Sequence, residues 1–217
     1  KQDLLEDIEH GNFIVCLVPK VDGQTENIAG AEAVVRYHHK DLGIVDPGRY
    51  INLLEETKLS HYLDLYVFEE VCRTLHRWEI EDIPMIPIAV NFAGATLKQE
   101  SVAEKMMNII EKYHVRCEYL EVEVSESGND MNQEMLAETS SKIRKGNVRV
   151  ILDHFGAKDS SFSILSLMEF DALKLDKSLI TNIVGNSRSR IVAQAVIDIC
   201  RQLGSSVEAA GVETQDQ

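Results

Sequence analysis

The chain has 217 residues, 44% of them hydrophobic, and a formal net charge of −14. That length suits one sizeable domain over 1–217 and is short for two, while the acidic excess excludes a surface built for a nucleic-acid polymer, whose phosphates need clustered Lys and Arg. No apolar run reaches the roughly 18 residues of a membrane helix and no signal-peptide pattern is present, so a cytoplasmic location and no membrane contact by this domain are expected.

In chain order, Lys1 to Glu9 reads as a short helix stopped by Gly11. Phe13 to Val18 is a first strand ended by Pro19, and a turn through Asp22-Gly23 leads to a second strand over Ile28 to Arg36. His38-His39 then falls in a solvated loop; neighbours on extended backbone point to opposite sides and make a poor metal pair. Asp46-Pro47 has the form of a helix start, with Asp as N-cap and Pro at the first helical position. Ser60 is expected to cap a longer helix whose Leu63, Val67, Val71 and Leu75 repeat as a core-facing stripe.

Pro87 to Asn91 is a third strand, followed by a helix from about Ser101 to Tyr113. Tyr119 to Ser125 is a fourth strand, and a helix from about Met131 to Lys145 ends at Gly146. Val148 to Asp153 is a fifth strand, and Ser160 opens a helical turn before a sixth, Ala172 to Asp176. A helix with Val192, Val196, Ile199 and Leu203 on one face stops at Gly204, and Ser205 to about Ala210 is the seventh strand. Strands alternating with helices predict a parallel α/β sheet. The four cysteines, Cys16, Cys72, Cys117 and Cys200, are scattered without a C-x-x-C pair, mostly in apolar patterns, so reduced buried thiols in a reducing compartment are expected.

Four of these runs carry an oxygen-bearing side chain: Glu32 after Gly30-Ala31, Asn91 at the end of Ile88-Ala89-Val90, Glu123 between Val122 and Val124, and Asp153 after Ile151-Leu152. A β/α barrel brings ligands to one mouth from several strands in this way, and oxygen ligands suit a hard divalent cation such as Mg²⁺ or Mn²⁺. Such an ion would also supply positive charge for a small phosphate ligand in an acidic chain. Glu121 and Glu123 alternate with valines and share one strand face, where one of them reads equally well as an exposed surface acid. Lys174, between Leu173 and Leu175, needs a carboxylate partner if buried, and Asp153 or Glu123 would serve.

The order of these landmarks resembles the EAL domain, the bacterial cyclic diguanylate phosphodiesterase family. Its Glu-Ala-Leu motif is matched by Glu32-Ala33-Val34 with Arg36 at the family spacing, and Ser-Val-Asn-Leu-Ser by Ala89-Val90-Asn91-Phe92-Ala93. Glu-Leu-Glu-Ile-Thr-Glu-Ser is matched by Glu121 to Ser127, Asp-Asp-Phe-Gly-Thr-Gly by Asp153-His154-Phe155-Gly156-Ala157-Lys158, Leu-Lys-Ile-Asp by Leu173 to Asp176, and Ala-Glu-Gly-Val-Glu-Thr by Ala209 to Thr214. The resemblance implies a TIM-like (β/α) barrel. The family's closing Gln-Gly-Tyr segment is absent and only seven strands are found, so an eighth lies beyond this chain, or the barrel is open or completed by a partner. With Lys1 in place of Met, the chain is expected to be a piece of a longer protein, which leaves room for an anchor or sensor domain.

By the same resemblance Glu32, Asn91, Glu123 and Asp153 would hold a first divalent cation. A second would be held partly by the residues at positions 154 and 210, and hydrolysis would open the dinucleotide to linear pGpG. Lys174 would help hold the attacking water, Glu126 would brace the loop carrying the Asp pair, and Arg36 would meet the ligand. The departures fall on the chemistry. His154 replaces the second Asp, Ala210 replaces the Glu, Val18 stands where a Gln faces the site, and Lys158-Asp159 alters the loop. An imidazole at 154 suits Zn²⁺ or Fe²⁺ better than Mg²⁺. The expectation is an impaired enzyme that acts as a regulatory or cyclic diguanylate-binding module with one cation. An active phosphodiesterase using His154, and a protein-interaction domain that binds no nucleotide, are the alternatives; a homodimer or partner domain is left open.

Overall fold

The computed structural model describes residues 2–39, 41–125, 133–157 and 160–217. The chain falls into two compact units, Lys1–Val122 and Glu123–Gln217. In the first, helix α1 (Gln2–Glu9) precedes strands β1 (Phe13–Val21), β2 (Ile28–His39) and β3 (Gly43–Val45). Helices α2 (Pro47–Glu56) and α3 (Ser60–Ile80), strand β4 (Ile88–Asn91), and helices α4 (Gly94–Leu97) and α5 (Val102–Tyr113) follow. Strand β5 (Leu120–Ser125) spans the division. The second unit continues through α6 (Gln133–Lys145), β6 (Arg149–Phe155), α7 (Ile164–Leu167), β7 (Ala172–Leu175), α8 (Lys177–Thr181), α9 (Ser187–Leu203) and β8 (Ser206–Ala209).

The pairing is mixed rather than wholly parallel. β1 and β3 both run antiparallel to β2, whereas β4 runs parallel to it, and β6, β7 and β8 are parallel. Periodicity marks strands but not their direction; the short connection through Asp22, which accepts from the amides of Gln24 and Thr25, permits only an antiparallel return. Pro19 does not end β1, which continues to Val21. Pro19 faces Ala31, whose amide bonds Pro87 O at 2.8 Å instead of β1, so the ring occupies a position where no ladder donor is required. Gly30 makes that crossing possible: a Cβ there would lie 3.0 Å from Pro87 O.

β2 is longer than expected and takes in His38 and His39, which pair with Ile44 and Gly43 of β3. The predicted loop is therefore strand, because Gly43 at φ 68° turns the chain back at once. Asp46 caps α2 through Gly48 N at 2.8 Å, as its sequence implies. Ser60 does not cap α3. Leu59 holds that position, and the Ser60 hydroxyl is buried without a hydrogen-bond partner among the described residues. The α3 stripe is buried at Leu63, Val67, Val71 and Leu75, widened by Phe68 and Cys72, against fully buried Ile88, Ala89 and Val90 of β4.

In the second unit the buried row of α9 is Ala193, Val196 and Cys200, while Val192 and Leu203 are exposed. Of the predicted row Val196 is fully buried and Ile199 half-buried, so the expected face is shifted toward Ala193 and Cys200 rather than lost. Ser160 opens no helix. Its hydroxyl bridges Gly156 N and Ala157 O, and α7 begins after Ser163. Cys16 is exposed and Cys117 half-buried, against the expectation of mostly buried thiols, and all four cysteines are free. Among the described residues no helix is long and apolar enough to cross a membrane.

Asp64, on the inner side of α3, keeps only partial exposure. Its Oδ2 accepts from Ala93 N at 2.9 Å and from the Thr96 hydroxyl. Burial pushes its pKa up to about 7, opposed by those two hydrogen bonds and assisted by the charge of Glu55. A raised carboxyl holds its proton in the folded state after the unfolded chain has released it. Stability is therefore greatest below the ordinary carboxyl pKa and declines as pH rises toward 7. Replacing Asp64 with Asn should remove that decline, so urea titrations should find the variant gaining on the parent by up to about 4 kcal/mol between acid and pH 8. A difference that stays constant with pH would refute it.

Candidate functional site

In the first unit the even-numbered residues of β1 and β2 share a face, and the register sets Val18 opposite Glu32, Cys16 opposite Val34 and Ile14 opposite Arg36. Glu32 Oε1 accepts from Asn91 Nδ2 at 2.8 Å. The parallel register explains that reach: Glu32 faces Ala89, and Asn91 lies two residues further on the same side of β4. Arg36 sits on the Glu32 face roughly 13 Å along the strand and rests its Nη1 on Val35 O at 2.9 Å. Val18 and Ile14 are about half exposed, so the strand beside Glu32 offers an apolar wall where a polar side chain was expected from the family pattern.

Lys20 closes this face with a pair that the sequence did not announce. Its Nζ lies 3.2 Å from Glu121 Oε2, and the Glu121 side chain is 4% exposed. Glu121 and Glu123 are both buried, so neither is a surface acid. Two carboxylates two residues apart on a buried strand need cations, and that requirement was the available signal for Lys20.

In the second unit Lys174 Nζ stands 2.8 Å from Glu123 Oε2 and 3.9 Å from Asp153 Oδ2. It serves both carboxylates named as its candidate partners. The Glu123 side chain is fully buried, and those of Asp153 and Lys174 are nearly so. His154 turns its imidazole onto its neighbour, with Nδ1 3.0 Å from Asp153 Oδ2, while its backbone N–H donates to Oδ1 at 2.7 Å. Burial alone would raise the Asp153 carboxyl, but the His154 hydrogen bond and the charges of Lys174 and His154 hold it below its ordinary value. The bond to Asp153 raises His154 against burial, with Asp153 and Asp176 adding to the effect and Lys174 opposing it. His154 has φ 58°, at the irregularity in the β6–β7 register between Leu152 and Phe155. Ala210 donates its amide to Leu175 O at 3.0 Å and has no ligand atom in its side chain. Glu126, Lys158 and Asp159 lie outside the described residues.

The four predicted ligands thus occur as two local sets, Glu32 with Asn91 and Glu123 with Asp153. Among the described residues no three His, Cys, Asp or Glu side chains gather as a ready-made metal cage. The donor chemistry, carboxylate and carboxamide oxygen, fits a hard divalent cation.

The sequence model of the EAL domain matches residues 1–217. The chain belongs to the EAL domain family. A cyclic di-GMP phosphodiesterase of Pseudomonas aeruginosa is 30% identical over 94% of this chain and 35% of its own length. The cyclic di-GMP phosphodiesterase NbdA of the same organism is 31% identical over 90% of this chain and 25% of its own length. The chain thus spans about a third or less of these curated relatives. The solved complex of PaMucR phosphodiesterase with c-di-GMP is similar over 99% of this chain and 87% of that one, at TM-score 0.88 and 25% identity. The Xanthomonas citri FimX EAL domain in complex with c-diGMP has the same fold at TM-score 0.87 and 18% identity, over 99% and 84% of the two chains. The fold is thereby the mixed α/β, TIM-like type of EAL domains.

Proposed function

We propose that this EAL domain binds cyclic diguanylate with one divalent cation, Mg²⁺ or Mn²⁺, and hydrolyses it poorly, acting as a regulatory or receptor module in bacterial second-messenger signalling. The family and the dinucleotide named for its relatives support the ligand. Glu32, Asn91, Glu123 and Asp153 would hold the cation, whose chemistry is to neutralise phosphate charge. Arg36 meets the ligand and Lys174 holds negative charge beside Glu123 and Asp153; the bracing of the loop that carries Asp153 falls to Glu126, which lies outside the described residues. The observation that carries the loss of hydrolysis is the contact between His154 and Asp153: position 154 places a cation-capable ring on the carboxylate and adds no oxygen ligand, and Ala210 adds none either.

Calorimetry with cyclic diguanylate and MgCl₂ or MnCl₂ is expected to give cation-dependent binding on the order of micromolar, with pGpG production far below about one per second. Turnover near that rate would end this reading. Cation-independent absence of binding would favour the interaction domain. A second reading, an active phosphodiesterase using His154, draws support from the ring's 54% exposure. It requires activity with a metal other than Mg²⁺ that collapses on His154→Ala.

A further inference from the structure

Asn91 is the last residue of β4, so the strand ladder holds the chain that leads into it but not the chain that leaves it. The leaving chain is held by α3. Phe92 meets Phe68 edge-on with ring centroids 5.8 Å apart, and Asp64, one helical turn earlier on the same face of α3, takes Ala93 N and the Thr96 hydroxyl on a single oxygen. Thr96 and Leu97 are buried beneath it. Among the described residues no cation pairs with Asp64, and the charge that acts on it, Glu55, is of like sign. A carboxylate kept in such surroundings is costly unless its hydrogen bonds hold something in place, and both of its bonds end within five residues of Asn91.

We infer that Asp64 is a positioning residue: by clamping Ala93 and Thr96 it sets the chain leaving β4, and so aims the Asn91 carboxamide at Glu32. Its consequence for the ligand rests on the reading that Glu32 and Asn91 serve a cation site; its consequence for Asn91 does not. The clamp needs an oxygen acceptor rather than a charge. Asn at 64 should therefore keep it and Leu should lose it, although Leu is the better residue for an apolar surrounding.

The test uses the ¹⁵N-labelled, metal-free protein, with the Asn91 side-chain amide cross-peak assigned through Asn91→Asp. Asp64→Leu should shift that cross-peak, and Asp64→Asn should return it to the parent position. Leu75→Ala, which loosens the same helix three turns away from Asp64 and leaves the hydrogen bonds, should leave it in place. In MnCl₂ titrations Asp64→Leu should weaken affinity by about tenfold to a hundredfold, the usual effect of losing a residue that orients a ligand, with Asp64→Asn restoring it. If Asp64→Leu does not fold, Thr96→Val removes half of the clamp and should move the cross-peak in the same direction. A cross-peak indifferent to Asp64→Leu and Thr96→Val, or moved as much by Leu75→Ala, overturns the inference. If the parent protein binds no Mn²⁺, the cation reading fails and the cross-peak alone decides the role of Asp64.

Discussion

The double variant His154→Asp with Ala210→Glu is expected to release pGpG from cyclic diguanylate at least about a thousandfold faster than the parent in MgCl₂ or MnCl₂. The two substitutions restore oxygen donors at the two positions where the chain departs from the family's second-cation pattern, and they free Asp153 Oδ2 from the imidazole now 3.0 Å away. A bound ion that activates water and clamps phosphate contributes several kcal/mol to the transition state, and ~1.4 kcal/mol corresponds to each factor of ten. Either change alone leaves the donor set incomplete, so each single variant should recover much less than the pair. Chromatography of the nucleotide products reads the result directly. A double variant that binds the dinucleotide as the parent does yet gives no faster cleavage would place the defect elsewhere, with Val18 the first candidate.

Lys174→Met should lower folding stability by about 3 kcal/mol in urea unfolding of the cation-free protein. The amine is 2.8 Å from a Glu123 side chain with no exposure, and a thioether leaves that carboxylate with its charge and one partner fewer. Both residues keep other interactions, which sets the expectation at the low end of what breaking a buried pair costs. Glu123→Gln combined with Lys174→Met should cost less than the two changes summed, since the second removes a partner the first no longer needs. Mn²⁺ should stabilise Lys174→Met more than the parent, because the ion takes over the amine's electrostatic role. Loss of less than about 1 kcal/mol, the range of an exposed pair, would show that this contact does not hold the second unit together.

Strand and helix positions were legible because alternation and the 3.6-residue repeat are local properties: Leu63 to Leu75, Asp46-Pro47 and Ile88 to Asn91 needed no knowledge of the rest of the chain. Lys174 was legible for a different reason. A lysine between two leucines in a strand demands an anionic partner, and only a few acids were placed to supply one. What stayed hidden depended on nonlocal geometry. The antiparallel β1–β2–β3 start turns on chain direction, the edges of the buried row of α9 on what packs against it, and the Lys20–Glu121 pair on two segments a hundred residues apart. Asp64 is the sharpest case. In sequence it is one more polar residue on an amphipathic helix, and only the position of Ala93 and Thr96 reveals what it holds.

The left-handed backbone at His154 limits the routes by which such a domain can change. With φ at 58°, a β-branched side chain there would strain the turn, whereas Asn, Asp, His and Gly enter it readily. The aspartate of the family pattern and this histidine both lie inside that permitted set. Either residue can therefore stand at this strand end without the backbone being rebuilt, so the donor chemistry at position 154 is set independently of the scaffold that presents it.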